Sequence, residues 1–404
     1  MRFFTIDKLV ELVYPILMET KTILAIETSC DETAVAIIRF DEANRYIKNM
    51  QRLASVVYSQ IKTHQKTKGV VPEVASREHA VKIIPVIQEA LLESKIKDLK
   101  SIDVFAVTVG PGLMGSLMIG VEAAKTLSYL FDKPIIPVNH IHGHIASSLW
   151  ENNILNTCYL IPDTIIYPML VLTVSGGHTM LVLVKKWGNF KVLGETLDDA
   201  AGEAFDKIGT MLNLPYPAGA EVEKIAKEYS PTVIPSKVDL PAHASQWQAG
   251  ESLSLKFPRP MLHSKNYDFS FSGLKTSVYY SLRKMKPAEI QKLAPYIAYE
   301  AQEAITDVLV AKTMRATQEF CPKTIALTGG VASNFSLREK LQLKIENSTC
   351  PPNGRRELKI NFLVPPKNLC TDNALMIAIA GALNYALGKS TTWNKIKADS
   401  NLKI

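Results

Sequence analysis

His140, His142 and His144 crowd three imidazoles into five residues of a 404-residue chain that holds only eight histidines. His140 and His144 stand four apart. On a helix capped by Asn139 their rings share one face, about 40° apart, so that both can grip one metal ion. His142 faces the other way. A lone histidine reads as a hydrogen-bonded core residue; an HxxxH pair at a strand–helix junction reads as half of a metal centre. A catalytic metal usually takes three protein ligands. Asp372 opens the helical stretch CTDNALMIAIAGALNYAL and has suitable chemistry. It suits an N-cap equally well, as does Thr371, while Gly388 marks the helix stop.

Three glycine loops each follow an apolar strand: TVGPGLMGS (108–116), TVSGGHT (173–179) and TGGVASN (328–334). Glycine lets backbone N–H groups converge on an anion without side-chain obstruction. One such loop is explained by a tight turn. Three of them, with the SCDET turn (29–33) as a fourth wall, point to a phosphate or nucleotide cleft. Acids gather in LDDAAGEAFDKIG. On one helix Asp199, Glu203 and Asp206 would share a face, with Asp198 nearby. A solvated helix face explains them, and a ribose-accepting carboxylate is the sharper alternative. Lysines and arginines are scattered, and no aromatic-interleaved RNA module is visible.

These loops need a scaffold, and the chain repeats one. ILAIETSCDETAVAII and MLVLTVSGGHTMLVLV align without a gap at an offset of 146 residues, each a strand–turn–strand hairpin. DVFAVTVG and TIALTGG are later strands running into glycine loops and helices. The pattern predicts an α/β fold of two similar lobes facing each other across a cleft. The expected divisions are an extension over 1–21, a first lobe over 22–145, a second over 146–370 and a tail over 389–404. The 371–388 helix is expected to pack on the first lobe. Within the second lobe, 230–266 reads as an irregular, proline-rich insertion serving as a lid or binding loop.

Composition narrows the class. A 47% hydrophobic content supports two cores, and the +7 net charge is a mild bias toward anionic partners. Five widely spaced cysteines with no CxxC argue against a disulfide framework and for a reducing compartment. No apolar run reaches membrane-spanning length. The acid-bearing N-terminus does not resemble a secretory or transit peptide, so a cytoplasmic location is expected.

Eight motifs occur in order: ETSCDET, GPGLMGSL, NHIHGH, TVSGGHT, AGEAFDK, FSFSGLKT, TGGVASN and CTDNA. Together, over about 23–387, they resemble the TsaD family, the tRNA threonylcarbamoyltransferases once labelled O-sialoglycoprotein endopeptidases, in its bacterial branch. The resemblance implies an actin-like ATPase fold with two duplicated RNase H-like lobes. It implies transfer of a threonylcarbamoyl group from its adenylate to the exocyclic amine of adenosine 37 in tRNAs reading codons that begin with adenine. It also implies one divalent metal, iron(II) ahead of zinc(II), held by His140, His144 and Asp372. Contacts to the adenylate would come from Thr173, Val174, Ser175, Gly176, Gly177, Asp206, Gly219, Glu223 and Asn334. Expected partners are tRNA, a TsaB-like paralogue and a TsaE-like ATPase. Pro217-Ala218-Gly219 departs from the family's Pro-Gly-Gly.

The implied chemistry is acyl transfer from a mixed anhydride, with Asp31 in the SCDET turn as hypothetical proton acceptor. One competing reading is a metallopeptidase, but zincins place glutamate where this chain has Ile141. Another is a sugar-kinase-like ATPase, which favours magnesium on oxygen ligands. A third is a non-catalytic nucleotide-binding scaffold.

Overall fold

The apolar run ILAIE pairs with ETAVAII across the SCD turn, in antiparallel register from Glu19–Glu42 to Glu27–Ala34. A computed structural model describes residues 18–43, 46–150, 166–229, 255–348 and 359–404. Its strands are β1 (Glu19–Glu27), β2 (Glu32–Ala43), β3 (Tyr46–Ser59), β4 (Val104–Gly110), β5 (Ile135–Asn139), β6 (Met169–Val174), β7 (Thr179–Lys186), β8 (Asn189–Glu195), β9 (Thr324–Thr328) and β10 (Asn361–Leu363). Its helices are α1 (Ile61–His64), α2 (Pro72–Ser94), α3 (Met114–Phe131), α4 (His140–Ser147), α5 (Ala201–Met211), α6 (Gly219–Ala226), α7 (Ser272–Leu282), α8 (Pro287–Phe320), α9 (Phe335–Glu346) and α10 (Ala374–Ala386).

The strands form two five-stranded sheets of the same order, β3-β2-β1-β4-β5 and β8-β7-β6-β9-β10. Each is an antiparallel three-strand meander extended by two parallel strands. The 146-residue repeat is therefore a duplicated α/β unit. Alternation along β1 sorts its side chains into two layers. Leu24 and Ile26 face an outer layer with residues of α2 and α3. Ile23 and Ala25 face an inner layer that also holds Met169, Val171, Val182 and Ala326 from the other sheet. A third cluster lies on the outer side of the second sheet, with residues of α5, α8 and α9.

The inner layer is carried by α4 and α10. Helix α10, ALMIAIAGALNYA, is apolar around its whole circumference and buried along nearly all its length, as a helix packed on every side must be. Gly381 lets it approach the first sheet closely; a Cβ there would lie 2.8 Å from Ala106 Cβ. Gly388, at φ +72°, follows the helix end.

One expected boundary shifts, and the described parts of the insertion and the tail gain definite contacts. β1 begins at Glu19, inside the stretch expected to be an extension. Of the stretch expected to be an irregular insertion, 230–254 lie outside the described residues, and 255–266 are pinned to α8. Fully buried Lys312 donates from Nζ to Ser264 Oγ (2.8 Å) and to the Asn266 carbonyl (3.2 Å). Arg315 Nη1 donates to the Ser264 carbonyl (2.6 Å). The 389–404 tail is a strap across the first lobe. Asp399 N–H donates to the Val109 carbonyl (2.7 Å), Gly112 N–H to that of Ser400 (3.4 Å), and Asn139 Nδ2 to that of Lys403 (3.2 Å). Gly110 is required beneath it, since a Cβ would lie 1.9 Å from the Asp399 carbonyl oxygen.

Deleting 399–404 removes these three hydrogen bonds, each worth about 1 kcal/mol. The expected result is a lower melting temperature and faster amide exchange at Gly112, measured by calorimetry and hydrogen exchange. Burial, then the charge of Arg315, pushes the Lys312 amine down to about 8. Between there and the ordinary lysine value of about 10.4, the unfolded chain binds more protons than the folded one. This group's contribution to stability therefore rises with pH across that window. The melting temperature of the wild type minus that of Lys312→Met should increase between pH 8 and 10.

Candidate metal centre

The local sequence around β5 delivers His140 and His144 to the inner layer. Asn139 ends the strand and caps α4, its Oδ1 accepting from the backbone N–H of Ile141 (2.8 Å) and His142 (3.4 Å). His140 and His144 then occupy one face, both buried, with ring centroids 4.7 Å apart. His142 turns away, stacks on Phe190 at 4.0 Å and faces Trp187. Burial, then the charge of Lys389, pushes it down to about 4, so it stays neutral.

Gly143 explains how a carboxylate arrives from more than 200 residues away. A Cβ there would sit 2.7 Å from Ile377 Cδ1. The glycine thus admits α10 against α4. Neither Thr371 nor Asp372 caps α10; Asn373 does, its Oδ1 accepting from Met376 N–H (3.0 Å). That one-residue shift leaves the Asp372 carboxylate to face the imidazoles. Its Oδ1 lies 3.1 Å from His144 Nε2 and 3.5 Å from His140 Nε2.

These three groups fit a metal ion. Two donors each about 2.1 Å from one ion at a tetrahedral angle lie about 3.4 Å apart, close to the two imidazole–carboxylate spacings, and all three ligand atoms lie within 4.8 Å of one another. Both ring nitrogens of buried His144 lack a hydrogen-bond partner among the described residues, despite the 3.1 Å approach of Asp372. The electrostatics agree with a cation-binding centre. Burial drives the Asp372 carboxyl up, but the charges of His140 and His144 outweigh it and hold Asp372 well below the carboxylate range. Burial drives His140 down, but Asp372 and Glu27 outweigh it and raise the imidazole to about 9.

Two neighbours went unnoticed in the sequence. Glu27, fully buried at the end of β1, places Oε2 3.3 Å from His140 Nδ1. The sequence signal was a carboxylate directly after the apolar run ILAI. His178 reaches over from the second lobe, its ring 5.9 Å from that of His140, and burial, then the charges of His140 and His144, pushes it down to about 4.

The remaining candidates lie around these residues unevenly. Gly176 and Gly177 have open space where a Cβ would be, as does Gly330 in the 328–334 loop. Thr173 and Val174 are buried inside β6, and Thr173 Oγ1 lies 3.0 Å from Thr328 Oγ1. Ser175 accepts at its carbonyl from Gly202 N–H (3.2 Å), which ties the loop to α5. The first-lobe loop is different: its Gly112 is packed against Ser29 and its Gly110 against the C-terminal strap. Close packing accounts for those glycines.

The acids separate into distinct roles. Asp198 accepts from the N–H groups of Phe271 (2.8 Å) and Ser272 (3.2 Å) at the start of α7. Asp199 precedes α5 and pairs with Lys207 (3.0 Å) and Lys275 (2.7 Å), so it does not share a helix face with Glu203 and Asp206. Asp206 Oδ1 accepts from Ala218 N–H (2.7 Å) and Gly219 N–H (3.2 Å) at the start of α6. Glu223 accepts from Phe335 N–H (3.1 Å), which brings α6 beside Asn334, the cap of α9. Asn334 itself is committed on both sides, donating to Gln302 Oε1 (2.8 Å) and accepting from Leu337 N–H (2.9 Å).

Across from these, Asp31 accepts from Gln60 N–H (3.0 Å) through its backbone carbonyl. Its negative charge is felt by Asp206 and by Tyr216 of the second lobe. Burial, then Asp31 and Asp372, pushes the neighbouring Glu32 carboxyl well above its ordinary range.

A duplicated α/β unit with a two-histidine, one-carboxylate group between its sheets defines the class: a two-lobed protein of the actin-like fold with a candidate metal centre. The solved structure of T. kodakarensis HypF shares this fold, with a TM-score of 0.53 at 15% identity over 93% of this chain and 49% of that one. The model of the TsaD family, described as tRNA N6-adenosine threonylcarbamoyltransferase, matches residues 51–379, and the chain belongs to that family. Proteins of that name from Bacillus anthracis and Clostridium botulinum (strain Kyoto / Type A2) are 41% and 42% identical to it. The matches cover 93% and 96% of this chain, and 95% and 98% of theirs. Neither the peptidase nor the kinase reading is favoured by these relatives.

Asp372→Asn and His144→Ala should each lower bound metal from about one ion per chain toward zero. His142→Phe, which keeps a ring against Phe190, should leave it unchanged. Elemental analysis after loading with zinc and desalting distinguishes these outcomes.

Proposed function

We propose that this chain transfers a threonylcarbamoyl group to N6 of adenosine in tRNA, with threonylcarbamoyl-adenylate as donor and adenosine 37 of tRNAs reading codons that begin with adenine as acceptor. Family membership gives the reaction class. The observation that carries the site assignment is the convergence of His140, His144 and Asp372 between the two sheets.

The acceptor nitrogen attacks the carbamoyl carbon of the mixed anhydride. A C–N bond forms, the C–O bond to phosphate breaks, adenylate leaves, and the nitrogen gives up a proton. The amine is a weak nucleophile, so the protein's work is alignment, charge stabilisation and proton removal. A divalent metal, iron(II) or zinc(II), held by His140, His144 and Asp372, supplies Lewis acidity and a template when bound. Open backbone at Gly176, Gly177 and Gly330 can approach phosphate oxygens directly. Thr173, Val174 and Ser175 position that backbone, while Asp206, Gly219, Glu223 and Asn334 form the wall beside it. Asp31 is the proton acceptor in this scheme, and burial beside Asp31 and Asp372 pushes the neighbouring Glu32 carboxyl up.

The electrostatic bias of a +7 chain suits a tRNA partner. A TsaB-like paralogue and a TsaE-like ATPase complete the assembly in this reading, which runs in the cytoplasm. No helix among the described residues is long and apolar enough to cross a membrane.

Incubation with threonylcarbamoyl-adenylate, unmodified tRNA and the partner proteins should yield the modified nucleoside by mass spectrometry. Asp31→Asn should lower single-turnover transfer by about 10²-fold or more, the usual scale for a general base. Transfer at the wild-type rate removes Asp31 from that role.

A further inference from the structure

Glu27 is fully buried and lies on the inner face of β1, in line with Ile23 and Ala25. A carboxylate in such a layer is costly unless each oxygen is matched. Here they are matched: Oε1 accepts from Ser29 N–H (2.5 Å) and Oε2 from Thr108 Oγ1 (2.6 Å). Oε2 also lies 3.3 Å from His140 Nδ1, with Ser29 Oγ 3.1 Å from the same nitrogen.

Every arrangement that satisfies this cluster keeps a proton on Nδ1. If Nδ1 carried a lone pair, it would face the carboxylate oxygen, and two electron-rich atoms would repel. If Nδ1 carries the proton, both Glu27 Oε2 and Ser29 Oγ accept it. Nε2, the nitrogen left to exchange its proton for a cation, then faces the side where Asp372 and His144 lie. His144 has no such partner on its own Nδ1. The ring of His140 is thus the one ligand whose tautomer and orientation are set from behind.

We infer that Glu27 is a positioning residue of the metal centre, holding the Nδ1–H of His140 so that Nε2 is presented to the cation. This rests on the metal-centre reading of His140, His144 and Asp372. Thr108, at the adjacent parallel strand β4, fixes the carboxylate in turn. Glutamine is a poorer partner. With one amide oxygen held by Ser29 N–H, the NH2 end of a glutamine faces His140 and Thr108, and a donor there opposes the Nδ1–H that the carboxylate accepts. The alternative, an Nε2–H tautomer accepting from the amide, turns a proton toward the metal position.

The test uses the full chain, stripped of metal and titrated with zinc(II) against a competing chelator. Cobalt(II) absorption reports ligand geometry, and ¹⁵N-histidine spectra of the metal-free protein report the tautomer. Glu27→Gln should weaken zinc binding by about 10–100-fold, the usual scale for a histidine's outer partner. It should also alter the cobalt spectrum and remove the Nδ1–H signature of His140. Thr108→Val should give a smaller loss, under about tenfold. Wild-type affinity and spectra in folded Glu27→Gln overturn the inference, and if that variant does not fold, unchanged affinity in Thr108→Val does so. A wild-type chain that binds neither zinc nor cobalt overturns the metal-centre reading itself, and the inference with it.

Discussion

The close packing of α10 on α4 is the constraint on which the rest of the molecule depends. Gly143 permits it, because any side chain there would meet Ile377. Helix α4 follows the last strand of the first sheet, and α10 comes after the whole second lobe. Their contact therefore closes the chain on itself and joins both sheets through one apolar layer. It also brings Asp372 to His140 and His144. Core formation and site assembly are the same event, so a residue that loosens one loosens the other.

The two lobes, though duplicated, contribute differently. The first supplies side chains: two histidines, the buried Glu27 and the acidic SCDET turn. Its own glycine loop is filled by Ser29 and the C-terminal strap. The second supplies open backbone at Gly176, Gly177 and Gly330, with α6 and α9 set beside it through Asp206 and Glu223. The two frames are equivalent in strand order, but one carries buried charged side chains and the other glycines with open space beside them.

The fold was legible because its signals are periodic. Hairpins with a fixed 146-residue offset predict two equal sheets, and both have the same strand order. The HxxxH spacing was legible because a helix of 3.6 residues per turn leaves little freedom. Local chemistry was legible less well. Asn373, Asp372 and Thr371 can all cap a helix, and only the packing of α10 decides that Asn373 does so. The glycines of 108–116 and 173–177 look alike in sequence. What separates them is the C-terminal strap, which lies more than 280 residues further on. Asp199 appeared to belong to an acidic face, but α5 starts at Ala201, and Lys275 from another helix neutralises it. Glu27 was missed because strand alternation says which face a residue takes, not which partner waits there.

The balance of charge explains why a cation belongs at this point in the proposed reaction. Asp372 and Glu27 sit beside the imidazoles, and Asp31 and Glu32 lie close enough to perturb the cleft groups around them. An anionic adenylate entering such a place meets repulsion at short range, where low dielectric makes it strong. The upward shifts of His140, to about 9, and of Glu32 relieve part of that repulsion without any ligand. The first of these is lost once a metal takes the place of the imidazole proton, unless the ion brings more charge than it removes. A divalent ion exchanged for one proton adds a net positive charge at the convergence of Asp372, His140 and His144. The cleft then accepts the phosphate that its carboxylates alone would repel.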